Sequence, residues 1–188
     1  VGADLSMLNG RYYLNFDVYQ RSTDNLLFNP PLPATAGLAS QAIVNVGKME
    51  NKGWDLSVGH RATSWNVSLN TAAYRNKIVR IDGETDFFYG PVTTRFGNQV
   101  INQIDHPIGS FYGYLTDGYF SSPTDATQYL RPSVGAPCAI YCQDGAAQGR
   151  LRFKDLNGDG SITAADRTII GDPHPDFTAG LDFSYRRG

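Results

Sequence analysis

Tyr12-Tyr13-Leu14-Asn15-Phe16-Asp17-Val18-Tyr19 is the stretch of this 188-residue chain that decides the fold. Its side chains alternate with a period of two, so that Leu14, Phe16 and Val18 share one face while Asn15 and Asp17 share the other. The preceding segment, 8–11, contains the Asn-Gly pair that type I′ turns require. We therefore predict a β-hairpin with strands at about 3–8 and 11–20.

The same alternation recurs in three later segments, which predict strands at 52–60, 64–74 and 178–186. In the first two, Trp54, Leu56, Trp65 and Val67 alternate with Asp, Ser, Asn and Gly. Small neutral polar residues suit a water-filled lumen at least as well as the outer surface of a soluble sandwich, where Lys and Glu are more common. The prediction is an all-β fold of antiparallel strands.

Bulk composition limits the classes of protein. With 41% hydrophobic and 12% aromatic residues, the chain has ample material for a core. A net charge of -2 with dispersed Lys and Arg argues against a nucleic-acid partner. No run of 18 apolar residues is present, so no transmembrane helix is expected, whereas β-barrel spans remain possible.

The predicted connections alternate between short turns and two long loops, at 21–51 and 75–177. Outer-membrane barrels place short turns on the periplasmic side and long loops outside. Five strands cannot close a barrel, because the smallest single-chain barrels have about eight. We therefore expect strands of a partial transmembrane β-barrel, belonging to a larger protein, with long extracellular loops.

Residues 155–166 have the spacing of an EF-type calcium loop. Oxygen-bearing side chains fall at loop positions 1, 3, 5 and 12, Gly160 falls at position 6, and position 7 offers a carbonyl. Position 12 is Asp166 where an EF-hand has glutamate, and an alternative is that Asp166 only caps a helical turn beginning near Thr163. The predicted cofactor is calcium, and its predicted ligands are Asp155, Asn157, Asp159, Ser161 and Asp166.

Cys138 and Cys142 are four residues apart, with no further Cys or His close enough in sequence to complete a zinc site. A local disulfide in an oxidising compartment is the favoured interpretation. The three histidines, His60, His106 and His174, are scattered, and no catalytic constellation is evident, so we do not expect an enzyme.

Aromatic clusters occur at 87–89, 111–114 and 119–120. They predict either stacking on sugars or a partner, or a core internal to the long insertion.

Three motifs resemble the C-terminal part of SusC/RagA-type TonB-linked outer-membrane receptors. They are Asn45-Val46-Gly47-Lys48-Met49-Glu50-Asn51-Lys52-Gly53-Trp54-Asp55-Leu56, Pro107-Ile108-Gly109-Ser110-Phe111-Tyr112-Gly113-Tyr114 with Asp117-Gly118, and Arg152-Phe153-Lys154-Asp155-Leu156-Asn157-Gly158-Asp159-Gly160 leading to Thr168-Ile169-Ile170-Gly171-Asp172-Pro173-His174-Pro175-Asp176-Phe177. Together they extend over nearly the whole chain.

This resemblance implies an energised importer in the outer membrane of Bacteroidetes-type bacteria. A barrel of about 22 strands would be closed by an N-terminal plug, with a SusD-like lipoprotein over the extracellular loops. TonB would act through parts absent from this sequence. The implied cargo is oligosaccharide and sometimes peptide, and residues 75–176 would form an extracellular loop at the lipoprotein interface, stapled by the calcium loop.

A second hypothesis is a soluble calcium-stabilised carbohydrate-binding or dockerin-like module. A dockerin would need a second copy of the calcium loop, which this sequence lacks.

Overall fold

The structure is a computed structural model that describes residues 1–28, 44–45, 47–81, 85–90, 97–133 and 136–187. The chain divides into two compact units. Unit 1 comprises Val1–Gly90, Ile101–Gly109 and Pro173–Gly188, and unit 2 comprises Pro91–Val100 and Ser110–Asp172.

The strands in chain order are β1 (Gly2–Met7), β2 (Tyr12–Asp24), β3 (Leu27–Phe28), β4 (Val44–Asn45), β5 (Lys48–Arg61), β6 (Trp65–Arg80), β7 (Phe87–Tyr89), β8 (Val100–Gln103), β9 (Ser110–Tyr114), β10 (Thr116–Tyr119), β11 (Leu151–Phe153), β12 (Arg167–Gly171) and β13 (Thr178–Tyr185). A short helix α1 covers Pro123–Thr127, and a 3-10 helix covers Ala164–Asp166. No helix in the described ranges combines the length and the apolar character needed to cross a membrane.

Unit 1 is built around a five-stranded sheet in the order β1-β2-β5-β6-β13, with every neighbouring pair antiparallel. The antiparallel all-β prediction is confirmed at this level. One row of residues paired across all five strands is entirely aliphatic. It consists of Leu5, Leu14, Val58, Leu69 and Leu181. This row shows why the register of the strands is fixed. A slip of one residue on any strand would move its apolar side chains to the opposite face.

The first turn follows its sequence signal. Asn9 and Gly10 have φ values of 54° and 80°, and the Arg11 amide donates to the Leu8 carbonyl over 3.3 Å. Positive φ at both central residues is the requirement of a type I′ turn. Leu8 also has a positive φ, of 52°.

The expected loop boundaries at 21–51 and 75–177 are wrong, because three strands extend beyond the apolar alternation. β2 and β5 remain paired as far as Asp24 opposite Lys48. β6 continues to Arg80, but Arg75 and Lys77 occupy its next apolar-face positions, so the alternation that would reveal the strand stops there. The polar face carries the buried Asn76. Asn76 bonds to Asn51 over 2.7 Å and receives the Ile108 amide over 2.8 Å.

The predicted long loop after β6 also contains regular structure. In unit 2, β9 pairs with β12 and β10 pairs with β11, both antiparallel. A small core of Phe120, Ala126, Tyr129 and Ala146, with Tyr141 packed against it, holds α1 in place. The aromatic cluster at 119–120 is thus divided, since Phe120 is fully buried and Tyr119 is exposed.

Candidate functional site

One face of the five-stranded sheet is apolar and exposed. Leu181, Phe183 and Tyr185 are 73%, 68% and 66% exposed, and Leu5 is 58% exposed. None of the buried apolar residues in the described ranges lies on this face. An extended apolar sheet surface of this kind is rare on soluble monomers and indicates an apolar partner phase or protein.

Aromatic rings border this face at the strand ends that are joined by the short turns. The ring centroids of Tyr12 and His60 are 4.3 Å apart, and those of His60 and Trp65 are 4.7 Å apart. Trp65 is paired with Tyr185 on β13. A belt of aromatic residues at the limit of an apolar band is typical of a membrane–water boundary.

The opposite face is polar and hydrogen-bonded across strands. The Ser57 hydroxyl donates to the Asn70 side chain, whose amide group donates to the Asp182 carboxylate over 3.2 Å. A groove of about 530 Å³ on this face is bordered by Asp17 and Asp55, which are cross-strand partners. This face is therefore suited to contact with water or a polar molecule.

Two tyrosine rings on the polar face lie over glycines of the neighbouring strand. Tyr13 is opposite Gly59, and Tyr19 is opposite Gly53. A Cβ atom on Gly53 would lie 2.7 Å from the Tyr19 ring, and one on Gly59 would overlap the Tyr13 ring. Gly59 is thus required by close packing of the Tyr13 ring, whereas a Cβ atom on Gly53 would also lie 2.7 Å from the Ala73 carbonyl oxygen.

In unit 2, the predicted disulfide between Cys138 and Cys142 is present, with the two Cα atoms 5.2 Å apart. Cys142 also bonds to residues 160 and 162 through its backbone. Its amide donates to the Gly160 carbonyl over 2.8 Å, and its carbonyl accepts from the Ile162 amide over 2.7 Å. The disulfide segment is therefore joined directly to residues 155–166.

Gln143 extends this junction to β11. Its side-chain amide donates to the Leu151 carbonyl over 2.8 Å, and its side-chain oxygen accepts from the Phe153 amide over 2.8 Å. The backbone amide of Gln143 donates to the Tyr129 carbonyl over 2.9 Å. The Gln143 side chain thus makes the two hydrogen bonds with β11 that the backbone of a neighbouring strand would make. Sequence analysis missed this role because an isolated glutamine carries no periodic signal.

The loop at 155–166 is closed by its own carboxylates. Asp155 accepts the amides of Gly158 and Gly160 over 2.7 and 2.9 Å, and Asp159 accepts the Ser161 amide over 2.9 Å. The Asn157 side chain donates to Asp159 over 2.9 Å. These four predicted ligand residues therefore lie together in one tight turn.

Asp166 lies deeper than the other predicted ligands and is fully buried. Its carboxylate accepts the amides of Leu156, Asn157 and Thr163 over 2.9, 3.4 and 2.7 Å, and it forms a capping box with Thr163. Burial raises the pKa of Asp166, but the backbone hydrogen bonds from Thr163, Leu156 and Asn157 prevail, so that its pKa is lowered from the usual value.

These contacts of Asp166 match the alternative interpretation, in which Asp166 caps the helical turn that begins near Thr163. Within the described residues, no three His, Cys, Asp or Glu side chains are grouped in a way that could hold a metal ion. Calcium binding at residues 155–166 therefore stays a prediction, and it depends on Asp155, Asn157, Asp159 and the Ser161 carbonyl more than on Asp166.

The sequence comparison matches residues 1–186 to the family described as "TonB dependent receptor-like, beta-barrel". The chain belongs to the TonB-dependent receptor family. "TonB-dependent receptor P3" of Formosa agariphila is 35% identical over 194 residues, covering 99% of this chain and 18% of that protein. "TonB-dependent receptor SusC" of Bacteroides thetaiotaomicron is 26% identical over 191 residues, covering 96% of this chain and 17% of that protein.

A solved structure agrees with this assignment. The chain resembles part of the structure titled "Structure of the RagAB peptide transporter", with a TM-score of 0.65 and 25% identity over 98% of this chain and 19% of that one. The chain thus spans about a fifth of the length of the relatives it matches. The resemblance to SusC/RagA-type receptors is confirmed, and the alternative of a soluble carbohydrate-binding or dockerin-like module is set aside.

TonB-dependent receptors are outer-membrane proteins, and this location accounts for both sheet faces. The exposed apolar face suits the hydrocarbon, and the hydrogen-bonded polar face suits the barrel interior. The main sheet of unit 1 is open and has five strands, so a closed barrel requires further strands.

His174 is a second residue whose role sequence analysis missed. Its Nδ1 lies 3.0 Å from the Tyr74 hydroxyl, and its Nε2 lies 3.1 Å from the Ile108 carbonyl. With Nε2 protonated, the ring donates to Ile108 and accepts from Tyr74. His174 therefore joins β6 to the segment leading into β13, and the only sequence signal was its place between Pro173 and Pro175.

Proposed function

We propose that this chain forms part of an outer-membrane nutrient importer that takes up oligosaccharides or peptides together with a SusD-like surface lipoprotein. The observation that carries the proposal is the family match over residues 1–186, combined with a sheet that has one exposed apolar face and one polar face. The named relatives SusC and the RagAB peptide transporter support a transport role. The proposed role involves transport without catalysis, driven through TonB.

In this proposal, the segment between β6 and β13 lies outside the cell and contacts the lipoprotein. Support comes from the connection lengths, because short turns join β1 to β2 and β5 to β6 at the same end of the strands. The long segment begins at the opposite end of the strands, and in bacterial outer-membrane barrels the end that carries the long loops is extracellular. Exposed Tyr119 and Ile140 offer apolar contact surface in unit 2.

An uptake experiment tests the importer proposal. Cells lacking the full-length receptor are supplied with a fluorescent oligosaccharide or a fluorescent peptide, each in turn, and are complemented with the intact gene. Restored TonB-dependent accumulation of either cargo, and copurification of a lipoprotein with the receptor, are expected. Accumulation that is equal with and without the receptor for both cargo classes would refute the importer role.

We also propose that residues 155–166 bind calcium. The fit is supported by the half-buried Asp155 and the exposed Asp159, whose carboxylates accept backbone amides and retain lone pairs that can face a cation. Bound calcium would neutralise these adjacent carboxylates and stiffen the turn.

Calcium titration of the full-length receptor, followed by calorimetry, tests this second proposal. Asp155→Ala and Asp159→Ala should each weaken binding by at least tenfold. Asp144→Ala, which removes an exposed carboxylate of unit 2 outside the loop, is the matched control. Equal calcium affinity in all four proteins, wild type included, would refute the site.

A further inference from the structure

The apolar, lipid-facing side of the five-stranded sheet changes character at the end opposite the short turns. Its last apolar row there consists of three cross-strand partners, Val18, Trp54 and Ala73. Two residues further along each strand, the same face carries Gln20, Lys52 and Arg75, which are also paired with one another. We call these three residues the basic row. Basic side chains therefore follow directly after the apolar band.

The exposure of side chains on β6 shows which side the basic row faces. Arg75 and Lys77 are exposed, whereas Asn76 and Ile78, which alternate with them, are buried. Successive side chains of a strand point to opposite faces. Arg75 and Lys77 thus lie on the exposed side, which continues the apolar face.

The position of the basic row along the strands matches the thickness of a membrane. Trp65 and its partner Tyr185 belong to the aromatic belt at the short turns, and Arg75 lies ten residues beyond Trp65 on β6. At about 3.3 Å per residue and a strand tilt of about 40°, this distance is about 25 Å along the membrane normal. The apolar band of an outer-membrane barrel has about this height. The basic row is therefore at headgroup level, across the bilayer from the aromatic belt.

A groove of about 870 Å³ lies between the basic row and the last apolar row. All six residues of these two rows border it, and the intervening row contributes Tyr19, Gly53 and Tyr74. On the interior face, the described rows 17–55–72 and 21–51–76 do not border the groove. The groove therefore opens on the lipid-facing side, with apolar residues at one end and basic residues at the other.

Carboxylates contact the two cations of the basic row without occupying all their donors. The Lys52 ammonium lies 3.6 Å from Glu50, and the Arg75 guanidinium lies 3.2 Å from Asp176. The side chains of Arg75 and Asp176 are 80% and 82% exposed, and exposed ion pairs of this kind are weak. An ammonium group has three N–H donors and a guanidinium group has five. Both cations therefore retain donors for an external anion.

We propose that this groove binds a phosphorylated lipid of the outer leaflet, with its phosphate at Lys52 and Arg75. Both side chains are established partners of phosphate groups. The acyl chains of the same molecule would lie against the last apolar row. This inference rests on the proposed orientation, in which the long segment is extracellular, and goes beyond the import of nutrients. Free inorganic phosphate shares the same chemistry and is the competing source.

The distribution of charge on the lipid-facing side supports this choice of ligand. Within the five strands, the Lys and Arg residues of this face all lie at the end away from the short turns. At the short-turn end, the same face carries the aromatic residues Tyr12, His60, Trp65 and Tyr185. The phosphorylated glycolipid of an outer membrane is likewise confined to one leaflet, the outer one. The charge of the sheet thus has the same asymmetry as the bilayer.

Native mass spectrometry of the full-length receptor in detergent, with added lipid A as the phosphorylated glycolipid, tests the proposal. Lys52→Gln combined with Arg75→Gln should weaken retention of lipid A by about tenfold. Each basic residue at a membrane surface contributes up to about fivefold, and the carboxylate partners reduce that attraction. Arg21→Gln combined with Arg61→Gln is the matched control, because Arg21 is next to Gln20 but on the interior face and Arg61 packs on the interior Tyr13 ring. The control should retain lipid A within about twofold of wild type, since its charges do not face the lipid.

Three results would overturn the proposal. The first is equal retention of lipid A by wild type and the Lys52 and Arg75 double variant, or an equal loss in the control. The second is equal retention by wild type of lipid A and of its dephosphorylated form. The third is displacement of lipid A by millimolar inorganic phosphate, which would assign the basic row to a soluble anion.

A charge-conserving variant guards against misfolding. Lys52→Arg combined with Arg75→Lys keeps both positive charges and should restore most of the retention of lipid A. None of these measurements involves nutrient uptake, so their failure leaves the importer proposal to its own test.

Discussion

Substitution of Val58 by arginine tests the assignment of the two sheet faces most directly. Val58 lies in the aliphatic row, between Leu14 on β2 and Leu69 on β6. If this face contacts hydrocarbon, the guanidinium must enter the apolar phase or bend away from it. At the midplane of an outer-membrane barrel, this change costs about 2–4 kcal/mol of folding free energy.

Two further arginine substitutions calibrate this result. His60→Arg is on the same face but within the aromatic belt, where the cost should fall to about 0–1 kcal/mol. Asn15→Arg is next to Leu14 in sequence but on the polar face, where an arginine can stay hydrated. We expect destabilisation to decrease in the order Val58→Arg, His60→Arg, Asn15→Arg.

Urea unfolding of the full-length receptor in lipid vesicles measures this order, and heat-modifiable migration on gels gives the folded fraction independently. A difference of about 3 kcal/mol between Val58→Arg and Asn15→Arg corresponds to a factor of about 150 in the unfolding equilibrium. Greater destabilisation by Asn15→Arg than by Val58→Arg would refute the assignment of the faces.

Three other outcomes follow from unit 2 and the polar face. Asp166→Ala leaves three backbone amides without an acceptor and should destabilise unit 2 by about 3 kcal/mol, read as faster hydrogen exchange; unchanged exchange would contradict this. Folding lowers the pKa of Asp166, so the stability that its carboxylate gives to unit 2 is complete above about pH 4 and is lost as the pH falls through the folded pKa. Acid should therefore raise hydrogen exchange in wild type but not in Asp166→Asn. Replacing Cys138 and Cys142 by Ser should raise hydrogen exchange at the Ile162 amide at least tenfold. The Thr163 amide, which Asp166 accepts, should change less. An equal change at both amides would count against the junction between the disulfide segment and residues 155–166.

The five main strands were predictable because one physical rule governs them. Where a strand separates an apolar phase from a polar one, its side chains must alternate, and Leu14, Phe16 and Val18 show this directly. Beyond the apolar band, both faces of a strand are polar and the rule no longer applies. The extension of β6 through Asn76 was therefore invisible, although its pairing with β5 continues in the same register as far as Ile78 opposite Met49.

Unit 2 was less predictable because it is stabilised by individual hydrogen bonds instead of periodic burial. The spacing of residues 155–166 did predict a tight turn of oxygen-bearing side chains, and Cys138 and Cys142 did predict a local disulfide. The contact between Cys142 and Ile162 joins segments twenty residues apart through backbone atoms alone. Backbone bonds of this kind leave no trace in residue type, and so the junction required the structure.

The tyrosines packed over glycines on the polar face constrain how this segment can evolve. At Gly59, a side chain of any size would displace the Tyr13 ring, whereas loss of the Tyr13 ring would leave a bare glycine that weakens β5. Each single replacement is therefore costly in its own direction, and a paired replacement avoids both costs. Related receptors should accordingly exchange Tyr13 and Gly59 together, so that covariation between these positions records the packing of the barrel interior.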